Sequence, residues 1–319
     1  MSPRGRSKND EPPFKERWFY VMEVLIIGAG ALGKCMAGLL AQQASVTLYE
    51  RDLQTRRALM HGGFTFQREK SAHHSIRVHV IGSLDKIERP NIDVLVFATK
   101  IMDLRAAVTE AVGLNPRCVL LPQNGIFDYR WTRRFFKKAH ICRGVTTMAC
   151  QETGHRRVKL FYQGDIYVGG DGALFIADLF RKSGVQAKAY RNSDGAVWAK
   201  LIFSAVMNPL PVITGQGYQV LNTDKDIWRL VKQAVAEGRT VARAAGVALA
   251  FDPMKLIERV RNGDLAGIEH RGSIVHDRNA GRSTELDFIT GALVRLAGRQ
   301  GVKAPALKSI WARAKSVGA

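Results

Sequence analysis

The 319-residue sequence lacks any uninterrupted run of about 18 apolar residues, the length that a membrane-spanning helix requires. Its four cysteines (Cys35, Cys118, Cys142 and Cys150) form no C-x-x-C pair and no zinc-like spacing with histidine. That pattern argues against a disulfide framework and for a reduced, cytoplasmic setting. The eight histidines show no metal-ligand spacing on any expected helix, so no metal is expected. Neither a nucleophile elbow nor a P-loop occurs, and there is no internal repeat or low-complexity segment. Residues 1–20 lack the apolar core of a secretory signal. With their prolines and mixed charges, residues 1–21 read as a disordered extension.

Positive charge, by contrast, is abundant: 48 basic against 28 acidic residues give a net +20. The excess is spread thinly along the chain, which attracts small anions and polyanions alike and specifies neither. One cluster stands out, Arg130, Arg133, Arg134, Lys137 and Lys138, interleaved with Tyr129, Trp131, Phe135 and Phe136. It reads as a solvated helix face whose aromatics pack inward, so a nucleic-acid partner is not expected.

From Met22 the pattern changes. Glu23-Val24-Leu25-Ile26-Ile27 reads as a buried strand, and Val46–Tyr49, Asp93–Thr99 and Cys118–Leu121 as further short strands. Leu53–His61 and Met102–Val112 fit the helices between them. Strand and helix in alternation predict a parallel, doubly wound sheet. Residues 140–170 read as a strand pair or meander, and 172–184 as one more helix. After about residue 191 only helical spacing remains: Ile227, Leu230, Ala234, Val235, Val241 and Ala245, with Gly246 ending that helix. Asp252-Pro253 then reads as an N-cap followed by proline at the first helical position. The expected organisation is α/β, a Rossmann-type doubly wound domain over 22–191 followed by an all-helical domain over 192–319.

Gly28-Ala29-Gly30-Ala31-Leu32-Gly33 is G-x-G-x-x-G, directly after the first strand. The first glycine allows the tight turn, the second lets a pyrophosphate approach the backbone, and the third lets helix and strand pack closely. An amphipathic helix follows, with Leu32, Cys35, Met36, Leu39 and Leu40 on one face, which makes Cys35 a core residue. The next strand ends at Glu50, 22 residues past Gly28. This context, more than the glycines alone, points to a dinucleotide. Glu50 favours NAD by accepting from the ribose 2′-hydroxyl, whereas Arg51, with Arg56 and Arg57 beyond it, favours the 2′-phosphate of NADP. The residues leave that choice open.

Val197 to Asn208 is apolar nearly all round except at Lys200, Ser204 and Asn208. On a helix these three fall at i, i+4 and i+8, within about 80° of one another. Such a stripe faces either water or a polar cavity; in a cavity, one cation and two hydrogen-bonding groups suit a carboxylate or carbonyl substrate. Proline after Asn208 is expected to end the helix there. Asn124, in Gln123-Asn124-Gly125, follows a strand where ligand loops sit, but Asn-Gly is also a common turn pair. Glu285, behind Ser283 and Thr284, reads most simply as part of a helix N-terminus.

Together these residues resemble the ketopantoate reductase family (2-dehydropantoate 2-reductases), from Met22 to about Ser316. The opening Met22-Glu-Val-Leu-Ile-Ile-Gly-Ala-Gly-Ala-Leu-Gly is similar to the family's usual start, which marks Met22 as an alternative first residue. Ala98-Thr99-Lys100 and Gln123-Asn124-Gly125 resemble its lysine and asparagine loops. Trp198-Ala-Lys200-Leu through Asn208-Pro209-Leu resembles its catalytic helix. Ser273-Ile-Val-His-Asp277, continuing through Gly281-Arg-Ser-Thr-Glu285-Leu-Asp287, resembles its substrate segment.

The resemblance implies reduction of 2-dehydropantoate to pantoate with NADPH, a step toward pantothenate and coenzyme A. It makes Lys200 the general acid, joined by Glu285 as a catalytic residue. Asn124, Ser204, Asn208 and Ser273 then contact substrate, and Glu285 binds its hydroxyl. Gly28, Gly30, Ala31, Leu32, Gly33, Arg51, Lys100, Asn124 and Glu285 face the cofactor. The implied substrate is a small 2-oxo acid; a homodimer is a further expectation, and neither membrane nor nucleic acid is expected as a partner. Three positions depart from the family: Ser204 stands in place of a second asparagine, Leu307 in place of another, and Glu50 in place of a small or apolar residue before Arg51. Ser204 keeps in view a reductase of a different 2-oxo acid and Glu50 the use of NADH, while the basic charge and the Arg130–Lys138 cluster keep in view a non-catalytic protein that senses nucleotide or binds polyanions.

Overall fold

The computed structural model describes residues 21–69, 71–87, 92–264, 272–279 and 281–318. The expected N-terminal extension, apart from Val21, lies outside the described residues. The main sheet is built from β1 (Met22–Ile27), β2 (Ala44–Tyr49), β5 (His79–Ile81), β6 (Ile92–Phe97), β7 (Pro116–Leu121), β8 (His140–Thr146), β11 (Asp165–Gly169) and β12 (Gln186–Tyr190). Their order is β12-β11-β8-β7-β6-β1-β2-β5, parallel throughout except where β11 runs antiparallel to β8. The central strands are apolar runs without alternation because helices cover both faces. Among these helices are α1 (Ala31–Leu40), α2 (Leu53–Met60), α3 (Leu104–Glu110) and α4 (Ala173–Lys182). The doubly wound architecture inferred from sequence is therefore present.

A second sheet was not expected. β3 (Phe64–Arg68) and β4 (His73–Ile76) join β9 (Ala149–Gly154) and β10 (Arg157–Tyr162) in the order β4-β3-β10-β9. Residues 140–170 are thus not a single meander: β8 and β11 stay in the main sheet while the β9–β10 hairpin leaves it. This small sheet packs on α1, where a Cβ at Gly38 would come within 2.8 Å of the Phe66 ring. The basic cluster also differs from expectation. Arg130–Arg134 forms a 3-10 turn, Phe136 is buried but Phe135 is exposed, and the Arg105 guanidinium lies 5.0 Å from the Trp131 ring centre.

Beyond β12 the described chain is helical: α5 (Asp194–Met207), α6 (Leu210–Thr214), α7 (Val220–Thr223), α8 (Lys225–Ala244), α9 (Pro253–Arg261), α10 (Gly272–Asn279), α11 (Leu286–Arg299) and α12 (Pro305–Ser316). As expected, Gly246 (φ +71°) follows the end of α8, and Asp252 caps α9 by accepting from Met254 N at 2.8 Å. Ile202, Val231, Leu293, Leu307 and Ile310 meet in the core of this part. Each such fully buried side chain contributes roughly 1.5–3 kcal/mol. As predicted, α5 ends at Asn208-Pro209, its last residue being Met207, but not by moving Asn208 out of the helical region. Asn208 keeps helical angles (φ −61°, ψ −36°), and α6 continues after it with little interruption. The restriction before proline is a bias that tertiary packing overrides here. The stretch 194–214 is long and apolar enough to cross a membrane by composition, but most of it is buried as the core helix of this part.

Candidate active site

β1 lies between β2 and β6, so the crevice at their carboxyl ends is a topological switch point, where open α/β sheets bind ligands. The glycine loop fills one side of it. Gly28 adopts φ +102°, its N–H donates to Tyr49 O at 3.0 Å, and a Cβ there would press on the Ala98 carbonyl carbon at 3.2 Å. A Cβ on Gly33 would overlap Gly28 O, so helix and loop touch directly at that position. Gly30, at the N-terminus of α1, has open space above it. That is a cradle in which an anion meets free backbone N–H groups.

The crevice opens into a cleft of about 840 Å³ walled by both parts of the chain. From the glycine loop come Gly30, Ala31 and Leu32; from the strand ends, Thr99, Lys100, Gln123 and Asn124. From α5 and its end come Lys200, Ser204 and Asn208. The polar stripe therefore faces a cavity and not bulk water. Lys200 is half-buried, its ammonium lies 4.7 Å from the Phe203 ring centre, and among the described residues it makes no hydrogen bond or ion pair. Burial pushes its pKa down to about 8, with the nearby Cys150 thiol acting weakly in the other direction.

Glu285 stands opposite as the N-cap residue of α11, yet its side chain does not cap that helix. It crosses the cleft and accepts the Ile101 N–H at 3.2 Å. Burial raises its carboxyl pKa, and the Ile101 N–H and the Lys100 charge oppose that rise. The simpler reading of Glu285 as a dipole-complementing helix residue thus gives way to one that joins two walls of the cleft. Next to it, Lys100 Nζ pairs with Asp277 at 2.8 Å and donates to Ser283 O at 3.1 Å, while Arg282 holds the same Asp277 at 3.1 Å.

Two buried polar atoms in this cleft are unsatisfied among the described residues: Thr99 Oγ1 and Gln123 Oε1. Orphaned atoms of this kind are rare unless a ligand answers them. With the open approach at Gly30, they fit a dinucleotide lying from the glycine loop to the ends of β6 and β7. The carboxylate of Glu50 accepts from Ala29 N at 3.1 Å and from Asp52 N at 2.8 Å. Arg51 is exposed and is not part of the cleft wall. Arg56 turns back to the carbonyls of Glu50 and Arg51 and lies against Gly82.

Residues 24–171 match the sequence family described as Ketopantoate reductase PanE/ApbA, and residues 192–317 match Ketopantoate reductase PanE/ApbA C terminal. The chain belongs to the ketopantoate reductase family. The 2-dehydropantoate 2-reductase of Archaeoglobus fulgidus is 25% identical over 281 residues, covering 86% of this chain and 90% of that protein. The enzyme of the same name from Pyrococcus abyssi is 26% identical over 302 residues, covering 91% and 96%. Among solved structures, the PanE/ApbA family ketopantoate reductase of Ralstonia eutropha JMP134 superposes with a TM-score of 0.80 at 25% identity, covering 93% of this chain and 98% of that one. D-mandelate dehydrogenase, solved with NADH and anilino(oxo)acetate, shares the fold with a TM-score of 0.80 at 23% identity, covering 93% and 100%. This ketopantoate reductase family member is therefore a 2-dehydropantoate 2-reductase-like oxidoreductase, which uses a nicotinamide cofactor and acts on a small keto acid.

Of the expected site residues, Gly30, Ala31, Leu32, Lys100, Asn124, Lys200, Ser204, Asn208 and Glu285 share the cleft, and Gly28 and Gly33 shape its loop. The side chain of Ser273 lies outside the described residues. Leu307 is fully buried in the helical core, away from the cleft. Sequence reasoning did not single out Thr99, Gln123, Phe203 or Cys150, nor give Asp277 a role. Asp277 carried a signal as the end of the Ser273–Asp277 segment, and Thr99 and Gln123 as neighbours of Lys100 and Asn124 in their motifs.

Proposed function

We propose that this protein reduces the keto group of 2-dehydropantoate to give pantoate, a step toward pantothenate and coenzyme A, with Lys200 as the general acid. The observation that carries the reading is Lys200 itself: a half-buried ammonium without an ion-pair partner among the described residues, facing the mouth of a dinucleotide cradle. A reduced nicotinamide held between the Gly28–Gly33 loop and Thr99 and Gln123 would supply the hydride that the keto carbon takes up. Lys200 gives its proton to the oxygen as negative charge grows there, and a pKa near 8 leaves it protonated yet acidic enough to donate at neutral pH. Asn208 and Ser204 hydrogen-bond the substrate on the same face. Glu285 takes the substrate hydroxyl, and Asn124 and Lys100 stand where cofactor and substrate meet. Ser273 joins them by resemblance to the family. We take residues 22–191 as the cofactor domain, 192–319 as the substrate domain, and the cytoplasm as the site of action. A homodimer is the assembly we favour, supported by a Staphylococcus aureus ketopantoate reductase described as dimeric, with a TM-score of 0.72.

NADPH is the donor that the family resemblance implies, with Arg51 on the 2′-phosphate. One observation favours NADH instead: the Glu50 carboxylate is fixed by two backbone N–H groups at the end of β2, where a 2′-phosphate would meet like charge. A second observation favours a 2-oxo acid with an apolar side chain. Tyr162, Phe203, Leu256 and Val260 line the same cleft as Ser204, where the family usually has asparagine. The test is loss of reduced-nicotinamide absorbance with 2-dehydropantoate and with an aryl 2-oxo acid, each with NADPH and NADH. Turnover that vanishes in Lys200→Ala supports the reading. Cofactor binding with no turnover of any 2-oxo acid refutes it.

A further inference from the structure

Arg143 is a buried charge beside this site that the mechanism above does not use. It sits on β8, opposite Leu121 of β7, and is 2% exposed. Its guanidinium donates through Nη1 to Leu121 O at 2.6 Å and Gly144 O at 2.9 Å, and through Nη2 to Gln123 O and to Gly125 O at 2.9 Å. Its Cζ lies 4.6 Å from the centre of the Phe127 ring. Among the described residues it has no ion-pair partner. Burial lowers its pKa, to about 10, against the opposing pull of Tyr129 and Asp194, so it stays charged at neutral pH.

Burying a full charge without a counter-ion is costly, and a turn needs no such device to close. What the guanidinium provides is geometry, a rigid fork of donors that several carbonyls can share. Two of the four carbonyls it holds, those of Gln123 and Gly125, flank Asn124 on either side. Its own backbone carbonyl accepts Ser193 Oγ at 3.1 Å, at the N-cap of α5, the helix that carries Lys200. One residue thus ties together the loop bearing Asn124 and the start of the helix bearing the acid.

We propose that Arg143 is a positioning residue, whose guanidinium clamps the Gln123–Gly125 loop so that Asn124 and the Gln123 amide are held in register with Lys200. The link to turnover rests on the reductase reading above; the clamp itself does not. The experiment compares Arg143→Met and Arg143→Lys with the unchanged protein. Lysine keeps the charge but cannot span four carbonyls, so it carries the test if the methionine variant does not fold. Hydrogen exchange of the 123–127 amides is expected to quicken by about tenfold or more, while β1 and β6 keep their protection. In the same samples kcat per folded molecule falls on the order of 100-fold, the scale of an ångström-sized misplacement, and cofactor Kd rises as well, because Asn124 and the Gln123 amide line the cofactor side of the cleft. Unchanged exchange at 123–127 in a folded variant overturns the clamp whatever the activity. A kcat that falls only with the folded fraction overturns its role in turnover. If the unchanged protein reduces no 2-oxo acid, the reductase reading fails, and exchange still decides the clamp.

Discussion

The carboxylate of Glu50 accepts the amide N–H of Ala29 at 3.1 Å, so the end of β2 is tied to the middle of the glycine loop. This acid therefore cannot swing away from a bound nucleotide without giving up a backbone bond. Glu50→Ala is expected to shift the ratio of kcat/KM for NADPH over NADH toward NADPH by about tenfold, or ~1.4 kcal/mol. Arg51→Ala is expected to weaken NADPH alone. Steady-state kinetics with both donors checks this, and a ratio untouched by Glu50→Ala contradicts it.

In the proposed reaction Lys200 acts only while it carries its proton. With the pKa pushed down to about 8, kcat/KM is expected to fall as pH rises through that value, well below the ordinary lysine pKa of 10.5. Lys200→Ala is expected to lower kcat by a factor on the order of 10²–10⁴ and to remove this alkaline limb. For stability the sign is opposite. Between about pH 8 and 10.5 the unfolded chain holds more protons at this group than the native one, so its contribution to stability rises with pH across that window. A rate profile flat to pH 10 excludes Lys200 as the acid.

Ser204 is the residue of the stripe that departs from the family. Ser204→Asn is expected to raise kcat/KM for 2-dehydropantoate and lower it for an aryl 2-oxo acid, each by several-fold, because the longer amide adds a hydrogen bond and takes up apolar space. Competition between the two substrates reads the ratio directly. No movement in it places substrate choice elsewhere in the cleft.

Glu237 offers a contrast far from the chemistry. Buried on α8, it accepts the N–H groups of Ala306 and Leu307 at 3.0 and 2.9 Å and so caps α12. Glu237→Ala is expected to cost about 1–2 kcal/mol, roughly 2–4 °C of Tm for each, while kcat stays unchanged. Denaturant unfolding alongside kinetics separates the two effects.

How far the sequence could be read depended on the reach of each interaction. The glycine loop and the Lys200–Ser204–Asn208 stripe were legible because turn chemistry and helical spacing are local. The second sheet was not: His73–Ile76 is a short, largely exposed strand without a clear apolar alternation, and the sheet closes only through the pairing of β3 with β10, far along the chain. The end of α5 before Pro209 was legible too, although Asn208 keeps helical angles that the local bias before proline disfavours. Glu285 looked like helix capping because its real partner, Ile101, is 184 residues away. Arg143, within a buried strand, could be understood only once the carbonyls around it were placed.

Lys100 and Ile101 end one wall of the cleft beside the glycine loop, and the groups they hold, Asp277, Ser283 O and Glu285, belong to the opposite wall, where the proposed reading seats the keto acid. The two seats thus share a hinge-pin of two consecutive residues. On the proposed reading, a nucleotide that moved Lys100 and Ile101 would carry the facing wall with it, and the two affinities would then be linked. Such linkage is reciprocal: by whatever factor the nucleotide sharpens the hold on the acid, the acid sharpens the hold on the nucleotide.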